Sequence, residues 1–175
     1  MSGVEVWAEI TCPFAHVGLR RLADFRDASG GVDVRARAWP LEWVDQPLGA
    51  DHVRSAVESL SEQLDLALFQ GEPWDCWPDT TVPAHALVAA ATQQGHGAGF
   101  DLALELRPLL FEEGRDISDT SLLADVAARR GLAVPVDDAA VRADHGAGQE
   151  RGVRGSPHFF VGGEGFFCPS LDLSR

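Results

Sequence analysis

The opening of the chain admits few folds. Val4 to Ile10 reads Val-Glu-Val-Trp-Ala-Glu-Ile, a near alternation of apolar and polar residues with the period of a strand. Val32 to Trp39 alternates again, with Val32, Val34, Ala36 and Ala38 set against Asp33, Arg35 and Arg37. Between them the period changes. Phe14, Val17, Leu19, Leu22, Ala23 and Phe25 mostly share one helical face, with Arg20, Arg21, Asp24 and Arg26 off it. Pro13 suits the first helical position, where its missing N–H has no intrahelical partner to lose. Ser29-Gly30-Gly31 stops the helix. This predicts a strand-helix-strand unit with parallel strands, closed by Pro40.

The middle of the chain reads as helical. The spacing of Val53, Val57, Leu60, Leu64 and Leu68 predicts a helix from Asp51 to Phe69. A loop at 71–78 carries Trp74, Cys76 and Trp77. A second helix runs from Pro83 to Gln94, ended by Gly95-His96-Gly97. A third runs from Phe100 to Glu113, with Pro108 expected to kink or break it. Ser118 or Asp119 caps a fourth helix that ends at Gly131, and Asp137 caps a last one toward Glu150 or Arg151. The period then reverts to that of strands: His158 to Val161, a Gly162-Gly163 turn, and Gly165 to Cys168 form a hairpin. The expected architecture is an α/β fold with a mixed four-stranded sheet. It is built from 1–44 and 150–175, with 45–149 as a helical insertion.

Composition narrows the function. A formal net charge of -13 over 175 residues argues against nucleic acid and anionic membrane surfaces, which require clustered Lys and Arg. No apolar stretch is long enough to span a bilayer, and no basic segment followed by an apolar run suggests an export signal. A cytoplasmic, reducing location is therefore expected. Three scattered cysteines do not make a disulfide framework. No His/Cys/Asp spacing suggests a metal site. Lys, Asn and Tyr are absent while Arg occurs 14 times, as the codon bias of a GC-rich genome would produce.

Cys12 stands where a strand gives way to a helix. A thiolate there faces unpaired backbone N–H groups and the positive end of the helix dipole. Its pKa is expected to fall below the free value of about 8.5. The same Cys could also be a buried, inert turn residue. Gly155-Ser156-Pro157, just before a strand, is a second feature, and either a trans turn proline or a cis bond satisfies it.

Taken in order, these features resemble a family. Thr11-Cys12-Pro13-Phe14-Ala15 begins the first helix and Val82-Pro83-Ala84-His85 begins another. The run from Leu110 to Asp119 and the segment from Gly152 to Gly163 complete the pattern. The whole resembles the DsbA-like thioredoxin superfamily, in particular its cytoplasmic FrnE-like branch. The 2-hydroxychromene-2-carboxylate isomerases and kappa-class glutathione transferases are related to it. The resemblance implies a thioredoxin-like fold. It also implies that Pro157 is cis and lies against Cys12, and that the Ser156 backbone meets an extended peptide or a small thiol.

One position departs from the family. Its redox motif is Cys-Pro-x-Cys, and here Ala15 replaces the second cysteine. A dithiol oxidase uses that neighbour to resolve the mixed disulfide. The resemblance with this departure implies a monothiol oxidoreductase with Cys12 as nucleophile, Pro157 beside it and His16 as a nearby titratable group. His16, like His85 and His158, could equally be packed or solvent-facing. Thr11, Pro13, Phe14, Ser156, Cys168 and Ser170 are the candidate contacts to a low-molecular-weight thiol such as glutathione or mycothiol, with no tightly bound cofactor. The partner would be that thiol or a protein thiol or disulfide. Cys168 ends the strand that returns beside Pro157. It is either a distant resolving thiol or an edge-strand residue too far to bridge. Trp74, Cys76 and Trp77 either overhang a substrate pocket or pack the insertion down. The alternatives for function are a thiol-cofactor-dependent transferase or isomerase, and a binding protein that kept the fold without the chemistry. Little sequence follows the hairpin, so an open sheet face would be covered by a second copy in a homodimer.

Overall fold

The computed structural model describes residues 3–64, 68–70 and 76–168. The chain begins with β1 (Val4–Ala8), α1 (Pro13–Ala28) and β2 (Val34–Ala38). Helices α2 (Ala50–Gln63), α3 (Val82–Gln94), α4 (His96–Phe111), α5 (Thr120–Arg129) and α6 (Ala139–Glu150) follow, then β3 (His158–Val161) and β4 (Glu164–Phe167). The sheet order is β2-β1-β3-β4. β1 and β2 are parallel, with Val4 beside Val34 and Ala8 beside Ala38. β3 runs antiparallel to β1, with Trp7 beside His158, and β4 antiparallel to β3.

Alternation sorts the strands into two faces. Val4, Val6, Ala8, Val34, Ala36 and Phe159 enter one core with Leu19 of α1, Leu87 of α3, Leu102 and Leu106 of α4 and Val126 of α5. Trp7, Trp39 and Phe160 form a second cluster on the other face. There α6 closes over them: Trp7 Nε1 donates to the Asp144 carbonyl at 2.8 Å. Gly148 of α6 lies so close to both indoles that an added Cβ would stand 2.6 Å from Trp39 and 2.7 Å from Trp7.

The hairpin turn uses Gly162 and Gly163, at φ 58° and 93°. Two successive positive φ values suit the twist of a two-residue hairpin turn, and glycine adopts them without a Cβ clash. Asp119, not Ser118, caps α5, its carboxylate accepting from Ser121 N at 2.8 Å. At α6 the N-cap position falls on Asp138, but the expected Asp137 makes the side-chain bond to the helix start, its carboxylate accepting from Ala139 N at 3.1 Å.

Three expectations are corrected. The helix expected to reach Phe69 stops at Gln63. Farther on, the Glu112 carboxylate accepts from the N–H groups of Phe69 at 2.8 Å and Gln70 at 2.7 Å. Phe69 itself has a left-handed φ of 62°. Pro108 does not break α4, which continues to Phe111. It stands in the last turn, where one missing N–H costs a single hydrogen bond. The break between α3 and α4 is confined to Gly95, since His96 already begins α4.

Candidate active site

β1 ends at Ala8 because Glu9 leaves the ladder: its N–H donates to Ser156 Oγ at 2.8 Å. The chain then turns through Ile10 and Thr11 and delivers Cys12 as the N-cap of α1, with Pro13 in the first turn. Opposite it lies the loop before β3, in which the Ser156–Pro157 peptide is cis. Cys12 Sγ donates to the Ser156 carbonyl at 3.4 Å. At the next carbonyl of the same loop, Cys168 N donates to Pro157 O at 2.8 Å. The structure thus brings Cys12 together with Ser156, Pro157 and Cys168, from which the sequence separates it by more than a hundred positions.

The expectation of a low thiol pKa is overturned. Cys12 is only 3% exposed, and burial pushes its thiol above the usual value. The N–H groups of Ala15 and Phe14 and the contact with Ser156 pull the other way, while the Glu9 carboxylate raises it further. The helix terminus does favour the anion, as expected. Desolvation and a like charge outweigh it.

Glu9 is the residue that sequence reading missed. It is a polar position of the alternating Val4 to Ile10 segment, yet it is only 2% exposed. Its Oε1 accepts from Ile10 N at 2.5 Å and Thr11 N at 3.1 Å. Its Oε2 accepts from Leu41 N at 2.9 Å and Thr81 Oγ1 at 3.2 Å. His85 Nε2 stands 3.5 Å from Oε1, an ion-pair contact longer than a good hydrogen bond. Burial alone would raise this carboxyl. His85 and the N–H groups of Leu41 and Thr11 hold it below the usual carboxylate range. Arg107, fully buried, donates to the Glu9 carbonyl at 3.1 Å and to the Ala103 carbonyl at 2.6 Å. Burial lowers its pKa to about 10 against the pull of Glu9 and Cys12. The one available signal was position: an acid three residues before Cys12, immediately after β1.

His16 occupies a packed site. Its Nε2 lies 3.2 Å from Glu112 Oε1, and its ring stacks on Phe111 and meets Phe69 edge-on. Burial pushes its pKa down to about 4, although Glu112 opposes the shift. His158 is stacked on Phe160, and its Nδ1 accepts from Arg154 N at 3.1 Å. Burial and Arg154 lower its pKa. Thr11 and Pro13 are buried at the helix head, and Phe14 packs against the main core. Ser170 and Trp74 lie outside the described residues. Cys76 is exposed. Trp77 packs on the core and donates to the Leu48 carbonyl at 2.7 Å. With Glu9, Thr11, Glu42 and Thr81 it also lines a small recess of about 10 Å³ beside the start of α1. Cys168 is half-buried at φ 48°, and burial together with Cys12 raises its pKa to about 11.

With this geometry the chain can be set beside known proteins. The family model for the DSBA-like thioredoxin domain matches residues 3–174. No protein of curated function matches the sequence significantly. Among solved structures, the cytosolic disulfide reductase DsbM from Pseudomonas aeruginosa is similar at a TM-score of 0.70 and 16% identity, over 94% of this chain and 87% of that one. A 2-hydroxychromene-2-carboxylate isomerase is similar at 0.68 and 17% identity, over 94% and 87%. A probable DsbA oxidoreductase from Streptomyces coelicolor is similar at 0.68 and 22% identity, over 95% and 83%. At these identities the likeness concerns the fold, a thioredoxin-like mixed sheet with helices. Among the described residues no helix is long and apolar enough to cross a membrane.

Proposed function

Since the chain belongs to the DsbA-like thioredoxin family, we propose that it is a thiol–disulfide exchange enzyme in which Cys12 is the attacking sulfur. The observation that carries this reading is the 3.4 Å contact between Cys12 Sγ and the carbonyl of Ser156, in the loop of the cis Ser156–Pro157 bond. The Cys12 thiolate displaces one sulfur of a disulfide R–S–S–R, forming Cys12–S–S–R and releasing RS⁻. Ala15 offers no second thiol on the helix, so a further thiol must attack the Cys12 mixed disulfide to complete the cycle. The disulfide partner is a low-molecular-weight one such as that of glutathione or mycothiol, or a protein disulfide, and the reaction belongs to the cytoplasm. Similarity of fold to a cytosolic disulfide reductase supports this reading.

One observation favours a second reading. Burial raises the Cys12 pKa, which leaves the thiol of a bound cofactor as the better nucleophile. An isomerase or transferase would use the site in that way. The fold is shared with a 2-hydroxychromene-2-carboxylate isomerase and with DsbM crystallised with GSH. Incubation with oxidised glutathione followed by intact-mass and peptide analysis separates the two. An adduct on Cys12 supports exchange. Glutathione binding that survives Cys12→Ser, without an adduct in the parent protein, supports the cofactor reading. Neither an adduct nor binding marks a protein that kept the fold alone. Any self-association would fall on the β3–β4 edge of the sheet, where Val161 of β3 and Phe166 and Phe167 of β4 are exposed.

A further inference from the structure

We propose that Cys168 supplies the resolving thiol that Ala15 does not: both cysteines meet successive carbonyls of the cis-proline loop, Cys12 through its Sγ on Ser156 and Cys168 through its main-chain N–H on Pro157. The proposal rests on the exchange chemistry of Cys12. It adds a second thiol in the same chain, drawn from the end of the sheet instead of the helix.

The hairpin explains how a residue so distant in sequence arrives there. β3 leaves Pro157 and β4 returns antiparallel beside it, with Phe167 opposite His158. The next residue of β4 therefore meets the residue before β3, and Cys168 N–H closes that pair on the Pro157 carbonyl. Alternation places Phe166 opposite Phe159, whose ring enters the core that contains Cys12, and Cys168 is two residues further along. At Cys168 the backbone takes a left-handed φ of 48° and leaves the strand. Cys168 thus stands one residue past the end of β4. A disulfide requires Cα atoms within about 7 Å, and adjustment of this strand end is the movement that would complete the approach.

The electrostatics agree with such an order of events. Part of what raises the Cys168 pKa is the neighbouring Cys12 charge. The mixed disulfide Cys12–S–S–R carries no such charge, while burial, the larger cause, still holds the Cys168 thiol up, so the step is favoured by alkaline pH. Its thiolate then attacks Cys12 Sγ, the Cys12–Cys168 bond forms, and RS⁻ leaves with the electron pair of the broken bond. The product is an oxidised enzyme. Two equivalents of a small thiol reduce it again, yielding that thiol's disulfide.

The test uses the full-length chain carrying Cys76→Ser, since Cys76 is exposed and would react on its own. The reduced protein is incubated with oxidised glutathione at mildly alkaline pH, quenched in acid and mapped without reduction. The expected result is a transient glutathione adduct on Cys12 that gives way to a linked Cys12–Cys168 peptide. Cys168→Ser or Cys168→Ala should lengthen the life of that adduct by about tenfold or more. An adduct that persists equally in all three proteins, with no linked peptide, overturns the proposal and leaves single-thiol exchange standing. If no adduct forms on Cys12, the exchange reading itself fails. Oxidation with diamide then decides the pairing separately: a linked Cys12–Cys168 peptide supports proximity of the two thiols, and its absence rejects it.

Discussion

The main-chain N–H of Glu9 donates to Ser156 Oγ at 2.8 Å, and this bond ties the strand that delivers Cys12 to the cis-proline loop that faces it. It is a link between β1 and a segment nearly the whole chain away. Ser156→Ala removes the acceptor and strands a buried N–H at the end of β1. The expected loss is about 1–3 kcal/mol in urea denaturation. Alkylation of Cys12 should change as well, because the Ser156 carbonyl is no longer held in place. An unchanged denaturation midpoint would show that the loop is positioned by other contacts.

The burial of Cys12 sets the pH dependence of its reactivity. With the thiol pKa above its usual value, the thiolate is a minority species near neutrality. Iodoacetamide labelling of Cys12, followed by peptide mass, should accelerate by about tenfold per pH unit between about pH 7 and 9. Glu9→Gln removes a like charge beside the sulfur and should raise the rate near neutrality. A rate that levels off below about pH 7 would mean the thiol is acidified after all.

His16 should make the fold lose stability in mild acid. Its folded pKa of about 4 lies below the ordinary 6.5. Between those values the unfolded chain binds the proton and the folded chain does not, so stability rises with pH across that window. It is fully present above about pH 6.5 and is lost as pH falls toward 4, by at most about 3 kcal/mol. Glu9 adds a second, lower window. Its folded pKa is depressed, so its contribution holds above the ordinary 4.5 and disappears as pH falls through the folded value. Urea denaturation at successive pH values reads both. His16→Gln should flatten the upper window and leave the lower one.

Two glycines of α6 should respond in opposite directions. A Cβ on Gly148 would collide with Trp39 and Trp7, so Gly148→Ala should destabilise by about 1–3 kcal/mol. A Cβ on Gly146 meets nothing within 4 Å, so Gly146→Ala should stabilise by about 0.5–1 kcal/mol. Thermal denaturation of the two variants side by side checks both signs. A Gly148→Ala protein as stable as the parent would show that the two indoles can shift together.

The sequence by itself determined the elements whose cause is local. The alternation of Val4–Ala8 and Val34–Ala38 around one helical period specified a parallel pair. Cys12-Pro13 specified the head of α1, and two glycines between aromatic runs specified the hairpin. Each of these depends on dihedral preference and periodicity within a few residues. Tertiary structure alone set Phe69 and Gln70 outside the expected helix, their N–H groups given to the Glu112 carboxylate just beyond α4, while α2 ends at Gln63. It alone buried Glu9, whose partners come from Leu41, Thr81 and His85. It also reversed the expected direction of the Cys12 pKa. The helix dipole can be read from the order of residues. The desolvation that overcomes it is the sum of everything packed around the sulfur, and that packing is assembled from segments far apart in the chain.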